Sequence, residues 1–417
     1  MITNNKICML TSVHPVFDVR IFHKQAKTLS KAGYDVTLVA QHSKEETLMP
    51  HSDTKDNENN PPESPHTPLK IPPCPPFLKR GMGGFSDEII DGVKIVALSV
   101  PPNRLYRMIV TNLCILRLAL KQKGNIYHFH DPELIPIGII LKLLGKKVIY
   151  DVHEDLPKQI LSKYYIPSWQ RKPLAAFLKL AEPLASKVFD YIITATDNIQ
   201  KKFNKPGKVI VIRNFPILDL NRNINRNIKH TRYNLKLIYA GGLTEVRGIA
   251  QIVLALEYVN NNVELILLGK FSPKEYVNKV RRLKGFGKVR YLGKVAFEEV
   301  LRYYALAHVG LVCIQPLERY KVSLPIKLFE YMAAGLPVIA SDFPLWKKII
   351  DDAGCGICID PTDPRKIAEA ILYLFNNPQL RKQMGENGRK AVLEKYNWEK
   401  ESEKLLAVYK ELSDQGT

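Results

Sequence analysis

Short β-rich runs alternate with stretches of helical period along nearly the whole chain, and this alternation restricts it to parallel α/β units. In the first half the runs fall at 7–10, 35–39, 93–98, 126–129, 147–150, 191–194 and 209–212. Between the first two, Ile21, Phe22, Ala26 and Leu29 recur close to the helical period, and Gly33 supplies a helix C-cap. The alternation restarts at 237–239 and continues through 264–268, 289–291, 310–313, 338–340 and 356–359. The spacing therefore predicts two Rossmann-like domains. Between them Asn214, Asn221, Asn223, Asn225, Asn227 and Asn234 stand among scattered basic residues with little apolar periodicity. The predicted organisation is an N-terminal domain over 1–215, a linker over 216–234 and a C-terminal domain over 235–397. A trailing helix over 398–417 has no strand after it and is expected to fold back on the N-terminal domain.

One segment stands outside the alternation. Residues 42–88 hold nine prolines between Pro50 and Pro76, with Phe77 and Phe85 the only aromatics. Such a stretch cannot bury enough apolar surface to offset its ordering entropy, so a disordered insertion in a loop is expected there. No apolar run approaches the ~18 residues needed to span a bilayer. Six cysteines in 417 residues are too few for a disulfide scaffold. Reduced thiols and a cytoplasmic location are therefore expected. The Cys355-Gly356-Ile357-Cys358 spacing resembles a redox motif but sits at a glycine turn with no second pair, so it reads as two small buried residues.

Charge adds a constraint on partners. Sixty-one Lys plus Arg against 41 Asp plus Glu leave a net charge of +20. Such an excess attracts nucleic acid, an anionic membrane surface or a phosphorylated substrate, unless it merely reflects a basic proteome. No zinc-finger spacing, RNA-binding aromatic signature or basic heptad is present, which argues against nucleic acid. Arg104, Arg107, Arg117, Lys121 and Lys123 interleave with apolar residues, and 163–179 repeats the pattern around Trp169, Arg171 and Lys172. Such basic amphipathic segments either lie on anionic lipid or are core-facing helices with solvated basic backs.

In doubly wound sheets ligands collect at the carboxyl ends of strands, so the residues after each strand carry the chemistry. After 237–239 the chain reads Gly241-Gly242-Leu243-Thr244-Glu245-Val246-Arg247-Gly248. Glycines allow backbone to approach a phosphate, a following helix offers free N–H groups, and Arg247 offers a fork for phosphate oxygens. An ordinary glycine turn is the alternative. After 310–313, Lys327 and Glu330 sit at i and i+3 on one helix face. They read as a solvated pair, or as a cation for a diphosphate beside a carboxylate for a ribose diol. In the first half, 126–129 leads into His130-Asp131, and 147–150 into Asp151-Val152-His153-Glu154. Alternation places His128 and His130 on one face, so a metal-dependent hydrolase has to be considered beside a packing role.

Together these pieces resemble the retaining glycosyltransferases of family 4 (glycosyl transferases group 1). The resemblance is carried by Ser12 to Phe22, by Ala32-Gly33-Tyr34-Asp35-Val36, by His130-Asp131-Pro132, by Asp151 to Glu154 and above all by Lys327 to Pro344. It implies the α/β GT-B fold, two Rossmann-like domains facing across a cleft. It also implies transfer of a sugar from a UDP- or GDP-type nucleotide sugar to a saccharide or lipid-linked acceptor, in polysaccharide or glycolipid biosynthesis. Glu330 matches the second Glu of the family's Glu–seven residues–Glu motif, which binds the donor ribose, whereas Val322 stands at the first. Gly242 stands where the family has an Arg, Arg247 fills the family's Lys position, and Lys327 is the candidate for restoring the missing cation. The resemblance thus assigns Gly241, Gly242, Arg247, Lys327 and Glu330 to the donor. Asp18, Arg20, His130, Asp131, His153 and Glu154 fall to the acceptor side, with His130, Arg247 and Lys327 as catalytic groups.

No Asp-x-Asp occurs, so no metal and no cofactor beyond the donor is expected. A nucleotide-sugar epimerase on the same fold, or a metal-dependent hydrolase using His128 and His130, are the alternatives. The protein is expected in the cytoplasm, with an anionic membrane surface as a further candidate partner.

Overall fold

The computed structural model describes residues 5–41, 88–161, 166–203, 207–218, 234–260 and 262–414. The chain divides into two units, one formed by 1–213 with 402–417 and the other by 214–401. The proline-rich segment falls at 42–87, outside the described residues, as do 219–233 of the asparagine-rich stretch and 163–165 of the second basic amphipathic stretch.

The first unit is built on an eight-stranded sheet of order β3-β4-β2-β1-β5-β6-β7-β8. Its strands are β1 (Lys6–Pro15), β2 (Asp35–Gln41), β3 (Glu88–Ile90), β4 (Val93–Leu98), β5 (Ile126–Phe129), β6 (Lys147–Val152), β7 (Tyr191–Thr194) and β8 (Val209–Val211). All neighbours pair in parallel except β3, a short antiparallel edge strand on β4. The sequence pattern did not predict β3, and Glu88, assigned to the insertion, belongs to it. Tyr127, Phe129 and Tyr150 point to one sheet face, where they pack against Ile115 and Leu118 of the Asn112–Gln122 helix and Ile137 and Leu141 of the Ile135–Leu143 helix. His128 and His130 alternate to the other face. There the Trp398–Asp414 helix brings Tyr409 into a 2.7 Å hydrogen bond with His128 Nδ1. The trailing helix thus packs on the first unit, as its lack of a following strand suggests.

The second unit carries a six-stranded parallel sheet of order β11-β10-β9-β12-β13-β14. Here β9 is Leu235–Ala240, β10 Val263–Leu268, β11 Val289–Gly293, β12 Val309–Val312, β13 Val338–Ser341 and β14 Gly356–Ile359. Both sheet faces are covered, which is why these strands read as continuous apolar runs rather than alternations. Gly310 of β12 lets Tyr331 approach, since a Cβ there would lie 2.3 Å from the Tyr331 ring.

Strand order reverses direction at β1/β5 in the first unit and at β9/β12 in the second. In open parallel sheets such switch points are where connecting loops diverge and ligands bind.

Among the described residues no helix is long and apolar enough to cross a membrane. Cys8, Cys313, Cys355 and Cys358 are free thiols. Burial raises both the Cys355 and Cys358 thiols to about 12, so they behave as packing groups.

Candidate active site

At the β9/β12 switch point the backbone leaves β9 through Gly241, whose φ of +148° favours glycine. Gly242 has open space where a side chain would project, and Tyr239 Oη donates to its carbonyl over 3.0 Å. A short 3₁₀ turn, Glu245–Arg247, follows. It closes at Gly248, with φ +72°, where a Cβ would lie 2.0 Å from the Cys313 carbonyl oxygen. Only then does the Ile249–Ala255 helix begin. The Gly241–Gly248 stretch thus leads into this helix through one 3₁₀ turn. Gln315 N–H donates to Val246 O over 2.8 Å, fastening the exits of β9 and β12 together.

That fastening brings Arg247 beside the short Glu318–Lys321 helix. Its guanidinium lies 5.3 Å from the Tyr320 ring centroid. Arg319 stacks on the same ring at 4.6 Å and donates to Tyr320 Oη at 2.9 Å. Sequence reasoning missed Arg319 and Tyr320. The signal lies in a cation next to an aromatic just after a strand end, immediately upstream of the segment singled out. Val322 caps this helix, so the position carries no carboxylate.

Lys327 and Glu330 ride on the Ile326–Ala333 helix. Their side chains meet, with Nζ 2.7 Å from Oε2, and Tyr304 Oη donates to the same Oε2 at 2.8 Å. Lys327 is thus ion-paired to Glu330, as the i,i+3 spacing allows. Burial, reinforced by the Glu330 charge, holds the Tyr304 phenol well above its ordinary pKa, so it stays a donor. Lys327 Nζ also lies 3.4 Å from Tyr304 Oη.

In the first unit, the exits of β1, β5 and β6 gather histidines and carboxylates. Asp151 is fully buried and grips Arg20 through two bonds, 3.1 Å to Nε and 2.9 Å to Nη2, while Gln25 donates to it at 2.7 Å. Arg20 also donates to Ile212 O at 2.9 Å. It is 4% exposed and ties Asp151 to the backbone at Ile212. Burial alone would raise the Asp151 pKa, but the Arg20 charge and the facing histidines hold it well below the carboxylate range.

Asp131 is likewise internal. Its Oδ2 accepts from Thr11 Oγ1 and Ser12 N, both at 2.7 Å, and so shapes the β1 exit. His130 is also enclosed, with Nδ1 3.2 Å from His153 Nε2 and 3.5 Å from Asp151. Burial lowers its pKa to about 4, so it is a neutral imidazole.

The half-buried groups are instead His153 and His14, whose rings lie 5.2 Å apart. His14 was not among the expected site residues, although it lies in the segment 12–22 that carries the resemblance. It pairs with Asp18 at 3.3 Å, and Asp18 also accepts from Arg20 N and Ile21 N. Glu154 is exposed and pairs with Gln159.

His128, His130 and Asp151 place potential metal-ligand atoms within 4.8 Å of one another. The carboxylate, however, is already engaged by Arg20 and Gln25, so a cation would have to compete with a guanidinium. These residues fit an internal hydrogen-bonded network better than a metal centre.

The His14–Asp18 pair yields a pH prediction. Burial lowers the His14 pKa, but Asp18 and Asp131 outweigh it and the net shift is upward. A base whose pKa is raised on folding contributes stability that is full below its unfolded value and lost as pH rises through the folded value. The melting temperature is expected to fall as pH rises above 6.5, the ordinary value for His14. In His14→Gln that fall should shrink; an unchanged profile would remove the pair from the account.

Residues 221–391 match the family model described as glycosyl transferases group 1. An uncharacterized glycosyltransferase of Methanocaldococcus jannaschii is 30% identical over 54% of this chain and 63% of its own length. A phosphatidyl-myo-inositol mannosyltransferase of Mycobacterium leprae is 25% identical over 70% of this chain and 75% of its own. Among solved structures, sucrose-phosphate synthase from Thermosynechococcus elongatus superposes with TM-score 0.71 at 17% identity, covering 98% of this chain and 99% of that one. Anabaena HepE in complex with UDP and glucose gives 0.66 at 14%, covering 98% and 100%.

Proposed function

We propose that this chain, a glycosyltransferase of GT-B fold whose residues 221–391 belong to glycosyl transferases group 1, moves a sugar from a UDP- or GDP-type nucleotide sugar to a saccharide or lipid-linked acceptor with retention of configuration. The observation that carries the donor assignment is the convergence of Arg247 and Arg319 on the Tyr320 ring beside the Gly241–Gly242 turn. Two like charges brought together repel, and a diphosphate bound against them reverses the sign of that energy. Guanidinium groups also match phosphate oxygens in shape. Arg319 thereby supplies the cation that Gly242 does not, a role expected of Lys327 from sequence. An ionised carboxylate offers about four acceptor positions, so a ribose diol can join Lys327 and Tyr304 on Glu330.

Transfer breaks the bond between the anomeric carbon and the diphosphate oxygen and forms one to an acceptor oxygen on the same face. The acceptor's proton passes to the departing diphosphate. The guanidinium pair stabilises charge growing on the leaving oxygen, where electrostatic help has its largest effect. His153, Glu154 and His14 are the acceptor-side groups of the first unit, with neutral His130 behind them. The names of the mannosyltransferase relatives, and the UDP and glucose in the Anabaena neighbour, support this reading. We place the reaction in cell-surface polysaccharide or glycolipid assembly on the cytoplasmic side.

Thermal-shift measurements against UDP-, GDP- and ADP-sugars test the donor. A ligand at a hundred times its Kd stabilises by about 2.7 kcal/mol, a readily measured shift. Glu330→Ala should weaken donor binding about tenfold or more, since a charged hydrogen-bond acceptor is lost. No shift with any nucleotide sugar, or an unaffected Glu330→Ala, would overturn the assignment. Proton NMR of the product tests retention, and an inverted anomeric signal would refute it.

A further inference from the structure

The Ser168–Ser186 helix is apolar on the side where a surface helix is ordinarily polar. Its inward side is formed by Ala175, Glu182 and Ser186, all buried. Roughly opposite on the helical wheel run Trp169, Phe177, Leu180 and Leu184, which are 74%, 65%, 75% and 65% exposed. The neighbouring Ile135–Leu143 helix ends with Leu143 and Leu144 at 82% and 54% exposure. Sequence periodicity left open whether the apolar residues of 163–179 face the core; the structure turns the largest of them outward. Contiguous exposed apolar surface of this kind marks an interaction site.

The charge around the stripe selects the partner. Lys172, Lys179 and Lys187 are exposed beside it. The helix's single acidic residue, Glu182, is buried and accepts from Tyr150 Oη at 2.8 Å. Apolar side chains flanked by lysines with no exposed carboxylate complement an anionic lipid surface, in which aromatics enter the interface and lysines meet headgroups. A second copy would present the same lysines and be repelled.

We propose that the outer face of the Ser168–Ser186 helix docks the protein on an anionic bilayer, with Trp169, Phe177, Leu180 and Leu184 inserted and Lys172 and Lys179 on the headgroups. At ~1.5 Å per residue the helix is about 28 Å long, enough to lie along the interface. The inference deepens the proposed function by choosing its lipid-linked acceptor class.

Tryptophan emission reads the docking directly. Trp346 and Trp398 are buried, so a change on adding vesicles reports Trp169. The full chain is mixed with phosphatidylcholine vesicles with and without phosphatidylglycerol. Expected are a blue shift and co-sedimentation only with phosphatidylglycerol, both weakening as salt screens the lysines. Phe177→Asp with Leu180→Asp, and separately Lys172→Glu with Lys179→Glu, should each lower vesicle binding about tenfold or more. Because these side chains are exposed, melting temperature and donor-induced thermal shift should stay at wild-type values. No blue shift with phosphatidylglycerol, or wild-type vesicle binding by the Phe177/Leu180 variant, would overturn the proposal. So would a wild-type dimer that the same variant renders monomeric. A normal donor shift in any of these cases would leave the transferase reading standing.

Discussion

Arg247→Ala is expected to lower kcat/KM by about 10² to 10³, the usual consequence of removing one preorganised group that meets charge developing in a transition state. The effect should fall mainly on kcat, because the leaving diphosphate carries more charge on its bridging oxygen in the transition state than in the bound donor. Arg247→Lys keeps the charge but loses the planar fork and weakens the stack on Tyr320, so it should recover only part of the rate. Arg319→Ala should show a smaller loss in the same direction. Initial rates over a range of donor concentrations separate kcat from KM. A rate for Arg247→Ala close to wild type would remove the guanidinium pair from the chemistry.

The second large effect concerns stability. Arg20→Ala removes the partner of a fully buried Asp151 and leaves a carboxylate enclosed with imidazoles and one amide. Breaking one side of a buried ion pair costs about 3–5 kcal/mol. For a unit of this size, that corresponds to a loss of about 10 °C in melting temperature. Arg20→Lys should retain charge but not the two-point grip, and recover only part of the loss. Asp151→Asn should cost less than Arg20→Ala, because it leaves no negative charge enclosed. Denaturant titration of the three variants checks the order, and Arg20→Ala melting like wild type would refute the structural role.

The fold was largely legible because parallel strands buried on both faces announce themselves as apolar runs. The runs at 126–129, 191–194 and 356–359 coincide with β5, β7 and β14. β3 escaped notice because it is three residues long, exposed at an antiparallel edge, and adjoins the proline-rich segment. The π-helical winding of Val19–Ala26 was also invisible, since apolar spacing barely distinguishes it from an α-turn.

Local pairs in the site could be read and distant ones could not. Lys327 and Glu330 are three residues apart, so their contact follows from helical geometry. Arg20 and Asp151 are 131 residues apart, and nothing near Arg20 in sequence says that it is buried. That His130 follows a strand end is readable from the pattern, yet its enclosure depends on packing among β5, β6 and the first loop. For the Ser168–Ser186 helix, periodicity gives an apolar stripe but not which side the sheet lies on.

The hydrogen bond from Tyr409 to His128 has a consequence for biogenesis. The partner that covers this imidazole is translated only after the whole of the second unit, so the sheet that emerges first from the ribosome waits longest for completion. Until then His128 lacks this partner, because the helix that supplies it is encoded some two hundred codons downstream of the last strand of that sheet.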